Sequence, residues 1–398
     1  MKNFSLTLYL EINNSNFVFS VGESDDQDTF KVVYTSQLPL EGIDNFRISN
    51  YEKFFSVIKK NLYIIEQKLN HTFNEIILIV ENFNPTFINL SGYKRLSGSQ
   101  ILRENITYIL NILKSCVEEV EKKKKILHIF NSNFYLDKKK IENIPIGLFG
   151  DFYSHELSFN LIDANDYKNL ENVFTNCNLK LRKTLLKSFI TGAYISNTNN
   201  NIGTFFQITL NKENSKIFLF ENDSLKYEQT FKFGSNLIIK DISKVTSLNI
   251  NTVTNILSKI EFKDNLLEDE ILDKQLFVDE VYRKIKKNLV YDIVEVRIKE
   301  LLELIVIKNI NLKKYYKDTR YIFIKFTSGL QFRCLDGVFK TVFSNLSKSN
   351  LKPLGDIPNE DMLKTAHKIV NYGWKKEAIP VSETKKSIIA RFFDAIFG

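Results

Sequence analysis

The chain has few cysteines, and they are scattered. Three occur in 398 residues, Cys116, Cys177 and Cys334, and no two form a C-x-x-C pair. This spacing argues against a zinc knuckle and a disulfide framework, and it is typical of a protein from the reducing cytosol. His128 and His155 lie in strand-like runs without a third ligand nearby, so we expect structural histidines and no metal site.

Long apolar runs are also missing. The apolar start of the chain meets Glu11 within a few residues and lacks a small-residue cleavage site, so no signal peptide is predicted. No run approaches the roughly 20 apolar residues of a spanning helix, and any membrane contact should be peripheral. A net charge of +8 over this length is a mild bias, and we expect no nucleic-acid partner.

The length and the 43% hydrophobic content suffice for a sizeable core, in two domains or one bilobal unit. The most informative stretch has three extended runs, Phe205 to Leu210, Ile217 to Phe220 and Leu225 to Phe231. Gly234 follows and opens a segment with helical apolar spacing. Such a layout grips phosphate when its first turn is rich in glycine. Here that turn, 211–214, contains no glycine.

The series resembles the second phosphate hairpin of the actin, Hsp70 and sugar-kinase superfamily, specifically that of the cell-division actin homologue FtsA. The FtsA pattern Gly-Gly-Asn, followed by Lys-Asp-Ile, is matched by Gly234, Ser235, Asn236 and then Lys240, Asp241, Ile242. The upstream pattern Asp-Ile-Gly-Gly-Gly-Thr falls on Thr209, Leu210, Asn211, Lys212, Glu213 and Asn214. The scaffold is retained and the phosphate-binding residues are replaced.

The segment from Ser5 to Gly22 reads as a β-hairpin whose tip contains Asn13, Asn14 and Ser15. It resembles the first phosphate hairpin of FtsA, because Leu10, Glu11 and Ile12 match the pattern Leu-Glu-Ile-Gly. Asn13 stands where that pattern has the turn glycine. Since asparagine tolerates left-handed backbone angles, the turn can persist with a bulkier loop. A plain polar hairpin tip is the alternative interpretation.

Two further segments match in order. The stretch 143–150 resembles Asn-Pro-Val-Gly-Met-x-Gly of the inserted FtsA subdomain 1C, and Thr327, Ser328 and Gly329 resemble the adenosine-binding Thr-Gly-Gly turn. Asp292 to Arg297 resembles the helix Asp-Ile-Ile-Glu-x-Arg, in which Glu295 and Arg297 would line a nucleotide cleft; an ordinary surface helix explains the same pattern. Ser49 and Glu52 form a capping-box pattern before a helix.

The resemblance implies an α/β, bilobal actin-like (ribonuclease-H-like) fold with a 1C-type insertion and a C-terminal amphipathic helix. The implied units are lobe 1A (1–82), subdomain 1C (83–162), a return to lobe 1A (163–202), lobe 2A (203–246), subdomain 2B (247–318), lobe 2A with the closing helix (319–376), a linker (377–383) and a membrane-targeting helix (384–398).

The nucleotide site that the resemblance implies is degenerate. Lys212 and Glu213 stand where glycines would let backbone N–H groups wrap a phosphate, and Thr209 lacks a carboxylate for a metal ion or water. We therefore expect weakened ATP binding, no catalytic residue, no hydrolysis and no firm need for ATP with Mg²⁺. The implied nucleotide-binding residues are Glu11, Asn13, Asn14, Ser15, Asn211, Lys212, Glu213, Gly234, Ser235, Asn236, Thr327, Ser328 and Gly329.

The last 15 residues have one apolar and one basic helical face. A terminal helix docked on the protein's own core would account for this pattern, but a basic-sided, phenylalanine-rich helix after a linker favours an in-plane membrane anchor. The residues predicted to bind an anionic membrane surface are Lys385, Lys386, Ile388, Ile389, Arg391, Phe392, Phe393, Ile396 and Phe397.

The resemblance implies a non-catalytic, peripheral protein of the division septum, on the cytoplasmic side of the inner membrane. Its implied partners are the C-terminal tail of FtsZ, divisome membrane proteins through the 1C-like unit, and further copies of itself in filaments. Two alternatives stay open: a type IV pilus actin-like scaffold, and an active ATPase or kinase of the same superfamily.

Overall fold

The computed structural model describes residues 4–25, 29–44, 47–81, 83–199, 202–260, 270–313, 315, 321–326 and 350–378. The predicted adenosine turn, Thr327 to Gly329, and the predicted tail helix from Thr384 onward lie outside these residues. None of the helices described is long and apolar enough to cross a membrane.

The first lobe is built on a five-stranded sheet in the order β11-β6-β1-β2-β3. Its strands are β1 (Ser5–Ile12), β2 (Asn16–Ser24), β3 (Phe30–Pro39), β6 (Glu75–Val80) and β11 (Lys180–Leu186). Strand β1 pairs antiparallel with β2 and parallel with β6, and β6 pairs parallel with β11. A two-stranded ribbon, β4 (Ile43–Asp44) with β5 (Arg47–Ile48), follows β3.

The second lobe repeats the same topology. Its sheet has the order β14-β13-β12-β15-β16. The strands are β12 (Phe205–Leu210), β13 (Ser215–Glu221), β14 (Ser224–Phe231), β15 (Tyr321–Phe326) and β16 (Asn350–Pro353). Again the first strand pairs antiparallel with the second and parallel with the fourth. The turn between β1 and β2 in the first lobe therefore corresponds to the turn between β12 and β13 in the second lobe.

A third sheet lies between these lobes in the chain. It has the order β7-β10-β8-β9, formed by β7 (Thr86–Arg95), β8 (Lys124–Leu136), β9 (Lys139–Ile141) and β10 (Phe152–Asp163). A helix packs against it through Ile109, Leu113 and Val117, which form a core with Tyr153, Leu157 and Phe159 separate from the cores of the two lobes. The region predicted as an insertion thus has its own sheet and core.

Eight helices are described, and most present one apolar stripe to a sheet. They are α1 (Tyr51–Leu69), α2 (Arg103–Val120), α3 (Ala164–Asn176), α4 (Lys187–Thr198), α5 (Asn236–Thr246), α6 (Ile250–Lys259), α7 (Lys287–Leu302) and α8 (Asn359–Tyr372). A short 3₁₀ turn spans Lys274–Leu276, and a π-helical turn, Glu303–Ile307, continues α7. In α1 the buried stripe is Phe54, Ile58, Leu62 and Ile65.

The predicted start of α1 is wrong by one residue. Asn50, rather than Ser49, caps the helix: its backbone is extended, and its side-chain oxygen accepts a hydrogen bond from the N–H of Lys53. Asparagine and serine are comparably good caps, so local chemistry alone does not select one over the other.

The segment after α8 contacts all three units. Trp374 donates its indole N–H to the carbonyl oxygen of Asp223 in the second lobe at 2.6 Å. Glu377 pairs with His128 of the third sheet at 3.1 Å and with Lys183 of the first lobe at 2.7 Å. Residues 374–378 therefore connect the end of the described chain to both lobes and to the third sheet, and the predicted linker (377–383) is packed at its first two residues.

Candidate functional site

A cleft of about 510 Å³ lies between the two lobes, where the corresponding hairpins face each other. Glu11, Asn13 and Asn14 line it from the first lobe, and Thr209 and Asn211 from the second. The repeated topology explains this arrangement, because the turn after β1 and the turn after β12 occupy equivalent positions. The structure thus brings together five residues of the two hairpins, four of them in the predicted site.

Backbone N–H groups in the turn of the first hairpin are hydrogen-bonded within the turn itself. The N–H of Asn13 donates to the carbonyl oxygen of Asn16 at 3.1 Å. The side-chain oxygen of Asn13 then accepts from the N–H groups of Ser15 and Asn16, at 3.0 and 2.8 Å. Asparagine commonly closes a turn in this way. Two amides at the hairpin tip are consequently engaged by Asn13 itself.

The turn of the second hairpin is closed in the same manner. The N–H of Asn211 donates to the carbonyl oxygen of Asn214 at 2.9 Å, and the amide of Asn211 donates to the side-chain oxygen of Asn214 at 2.6 Å. Lys212 and Glu213 form the exposed tip. Side chains, rather than open backbone, therefore surround this turn where a phosphate would approach.

The start of α5 is capped by this hairpin. The N–H groups of Ser235 and Asn236 donate to the carbonyl oxygens of Asn211 and Lys212, at 2.9 and 3.0 Å. The Asn236 amide also donates to the Glu213 carboxylate. The first amides of a helix are its usual anion-binding groups, and here two of them have protein partners.

Gly234 allows the start of α5 to contact the hairpin turn. A Cβ atom at Gly234 would lie 2.2 Å from the carbonyl oxygen of Asn211 and 2.6 Å from that of Lys212. Only glycine lets the helix start approach the turn so closely. Gly234, Ser235 and Asn236 thus pack against the hairpin, and the residues lining the cleft do not include them.

Three lysines line the cleft, and sequence reasoning missed all of them. Each has a carboxylate partner: Lys187 has Glu11 and Glu81, Lys216 has Glu228 at 2.8 Å, and Lys325 has Asp356 at 2.9 Å. They come from α4, β13 and β15, far apart in the chain, and nothing in the local pattern marks them. Their positive charge is compensated within the protein rather than left for a triphosphate.

The group around Lys187 is the most strongly charged part of the cleft. Burial alone would raise the pKa of Glu81, but the nearby ammonium groups of Lys187, Lys216 and Lys325 hold that pKa below its ordinary value. Burial alone would lower the pKa of Lys187, but the carboxylates of Glu81 and Glu11 hold it above its ordinary value. Lys187 and Glu81 are therefore both charged at neutral pH.

The cleft also has polar groups suited to an uncharged ligand. The hydroxyl of Ser188, the second residue of α4, is buried and has no hydrogen-bond partner among the described residues. Gln207 and Thr209 lie across the cleft and bond to each other at 2.8 Å. This arrangement can bind hydroxyl or amide groups.

A divalent metal ion does not fit the described cleft residues. No group of three or more histidine, cysteine or acidic side chains that could hold one occurs in the described ranges. Glu11 and Glu81 are the acidic residues lining the cleft, and the ammonium of Lys187 is bonded to both.

The helix predicted to contribute Glu295 and Arg297 to the cleft is α7. Arg297 instead bonds to Asp241 of α5 and, at 2.6 Å, to Glu300 one turn further along α7. Neither Glu295 nor Arg297 is among the residues lining the cleft. The structure supports the alternative of a surface helix with a buried stripe.

Comparison with known proteins fits the resemblance predicted from the sequence. No model of a protein family matches the chain. The cell division protein FtsA of Buchnera aphidicola subsp. Acyrthosiphon pisum is 22% identical over 411 aligned residues, covering 100% of this chain and 96% of that relative. FtsA of Buchnera aphidicola subsp. Schizaphis graminum is 22% identical over 387 residues, covering 94% and 91%.

Among solved structures, the PilM-PilN type IV pilus biogenesis complex contains a chain that matches 92% of this one with a TM-score of 0.50. The match covers 98% of that chain at 10% identity, and it concerns the fold alone. With the repeated sheet topology and the interlobe cleft, it defines an α/β actin-like fold. Within this class, the chain is similar over its full length to proteins named FtsA, in agreement with the resemblance seen in its motifs.

Proposed function

We propose that this protein is a cell-division adaptor. It polymerises, tethers the FtsZ ring to the cytoplasmic face of the inner membrane, and recruits divisome proteins, with ATP use weakened or lost. The observation that carries the proposal is the similarity to proteins named FtsA over the full length of the chain.

The loss of ATP use is supported by the geometry of the cleft. The amides of Ser15 and Asn16 are engaged by Asn13, and those of Ser235 and Asn236 by hairpin carbonyls. A phosphate would have to displace these bonds, and each broken bond costs roughly 1 kcal/mol. On this proposal the protein acts as a scaffold rather than as an enzyme.

Recruitment of divisome proteins is assigned to the unit with the separate sheet, residues 83–162, as a 1C-type subdomain. Ile146, Leu148 and Phe149, in the loop before β10, expose 48%, 49% and 69% of their surface. Adjacent exposed apolar side chains are typical of protein contact sites. This loop is the part of the unit that we propose for partner binding.

We propose the membrane and FtsZ contacts from the similarity to proteins named FtsA. The predicted anchor from Lys385 to Phe397 lies outside the described residues, so the proposal of a membrane anchor rests on the amphipathic pattern of the sequence. Many weak anchors on one filament bind a membrane more firmly than one anchor does, so polymerisation and membrane binding reinforce each other.

Binding to a labelled peptide of the FtsZ C-terminal tail, measured by fluorescence anisotropy, tests the proposal. We expect saturable binding by the full chain and none to a scrambled peptide of the same composition. A type IV pilus scaffold, the alternative, would not bind the FtsZ peptide. Equal anisotropy changes with both peptides would contradict the adaptor role.

Nucleotide use is tested separately, by phosphate release and by binding of a fluorescent ATP analogue. We expect no release above the buffer rate and weak or undetectable binding. Turnover that disappears in a Thr209→Ala or Glu11→Gln variant would instead support the active ATPase alternative.

A further inference from the structure

The structure places three charged side chains at the same edge of the first sheet. Strands β11, β6 and β1 are parallel neighbours, so their carboxyl ends meet there. Glu11 lies near the end of β1, Glu81 directly follows β6, and Lys187 directly follows β11. The N–H of Glu81 extends the ladder to the carbonyl oxygen of Ile12 at 3.0 Å, which keeps these strand ends in register. The carboxyl edge of a parallel sheet is the usual ligand-binding edge of such folds.

The ammonium of Lys187 lies between the two carboxylates. Its Nζ is 2.7 Å from Oε1 of Glu11 and 3.0 Å from Oε2 of Glu81. The side chains of Glu11 and Glu81 are only 15% and 20% exposed. Two half-buried carboxylates repel each other unless a cation separates them. Carboxylate oxygens are also the ligands that Mg²⁺ prefers.

The position of Lys187 is locally unfavourable for a positive charge. It is the first residue of α4, where the partial positive charge of the helix disfavours a cation. Its bonds to Glu11 and Glu81 supply the compensating interaction. Lys325, also in the cleft, differs because its partner Asp356 has a side chain that is 90% exposed.

We infer that the Lys187 ammonium is a built-in cation of the cleft, which takes the place of a divalent metal ion between Glu11 and Glu81. A metal ion approaching the two carboxylates would be repelled by the Lys187 ammonium, which is part of the chain and already contacts both of them. The position between Glu11 and Glu81 is therefore already filled by a cation of the protein. This inference rests on the geometry of the three side chains and not on the role in division.

Direct titration of the full chain with Mn²⁺, following the electron paramagnetic resonance signal of the free ion, tests the inference. We expect no binding by the natural protein and binding by Lys187→Met, in which the two carboxylates lose their cation. Removing one charge at contact distance should tighten Mn²⁺ binding by at least about tenfold. The double variant Lys187→Met/Glu81→Gln should lose the acquired binding, since one carboxylate is neutral.

Lys325→Met is the matched control, because it removes a cleft lysine that does not lie between two carboxylates; it should bind no Mn²⁺. Should Lys187→Met fail to fold, Lys187→Gln retains a polar N–H donor and removes the charge, with the same expected result. Mn²⁺ binding by the natural protein as tight as by the variant would overturn the inference. So would a folded variant without any acquired binding, because the carboxylate pair would then not be a cation site.

Discussion

Lys187 links the electrostatics of the cleft to the stability of the fold. In the folded protein the neighbouring lysines hold the pKa of Glu81 below its ordinary value of 4.5, although burial alone would raise it. The ionised carboxylate therefore stabilises the fold above about pH 4.5, and this contribution is lost as the pH falls further.

Replacing Lys187 with methionine should weaken this dependence of stability on pH, because Lys187 is the largest of the charges that lower the pKa of Glu81. Without this ammonium the pKa of Glu81 lies higher than in the natural protein, so the variant is destabilised at pH 7, by about 2 kcal/mol, the scale of a lost charge-assisted hydrogen bond. The difference in the free energy of unfolding between the two proteins should become smaller towards pH 4, where Glu81 becomes protonated and no longer needs a cation. Urea unfolding of both proteins across this pH range measures the difference. A deficit that is the same at both ends of the range would contradict this account.

Gly234 should tolerate no side chain. In Gly234→Ala the new Cβ meets backbone oxygens of Asn211 and Lys212, which cannot rotate away, so the hairpin and α5 must separate. We expect a loss of about 1 to 3 kcal/mol in the free energy of unfolding. Gly355→Ala is the matched control, because a Cβ there meets nothing within 4 Å. Equal stability of the two variants in urea would show that Gly234 is not needed for packing.

These two residues show what the sequence could and could not reveal of the site. The match at Gly234 was found from the motif, but its contact with the hairpin depends on backbone oxygens that no pattern predicts. Lys187 had no local signal, because its partners lie on β1 and after β6, more than 100 positions earlier in the chain. Asn13 could be recognised as a turn residue, whereas its bonds to two amides became visible only in the structure.

At the scale of elements, the strands of the two lobes were the most predictable part of the chain. The predicted run Phe205 to Leu210 is β12 with the same bounds. This strand is short, almost continuously apolar and flanked by polar residues, so its ends are sharp. Helix starts were less predictable, as the choice of Asn50 over Ser49 shows, because adjacent residues can serve as caps.

A buried cation joins the third sheet to the second lobe. The side chain of Lys226 in β14 is fully buried and pairs with Glu156 of β10 at 2.6 Å and with Glu221 of β13 at 3.4 Å. Asn133, next to them, donates to Glu156 at 2.7 Å and accepts from Asn222 at 2.7 Å. These bonds fix the orientation of the third sheet against the second lobe.

Lys226→Met should therefore loosen that contact. The variant removes the cation that pairs with Glu156 and Glu221, and breaking a buried pair from one side costs about 3 to 5 kcal/mol. The loss in the free energy of unfolding should be largely recovered in Lys226→Met/Glu156→Gln, which also removes one of the two carboxylate charges. Urea unfolding and limited proteolysis of residues 83–162 measure the two effects. A single variant as stable as the natural protein would show that the pair does not hold the two units together.

The whole molecule combines a duplicated fold with an interlobe cleft whose charges are already paired. Such a cleft suits a protein whose state does not depend on nucleotide turnover. Residues 374–378 bond to both lobes and to the third sheet, so the first two residues of the predicted linker, Glu377 and Ala378, are packed against the fold. A load on the anchor would thus be shared by both lobes and by the unit proposed to bind division proteins.

The central claim is that this protein holds FtsZ to a membrane without ATP. The direct measurement is co-sedimentation of FtsZ with anionic vesicles, using the full chain and a form that ends before Thr384, each with and without ATP. We predict that FtsZ pellets with the vesicles only when the full chain is present, and equally with and without ATP. Pelleting of FtsZ with the shortened form, or only when ATP is added, would contradict the account.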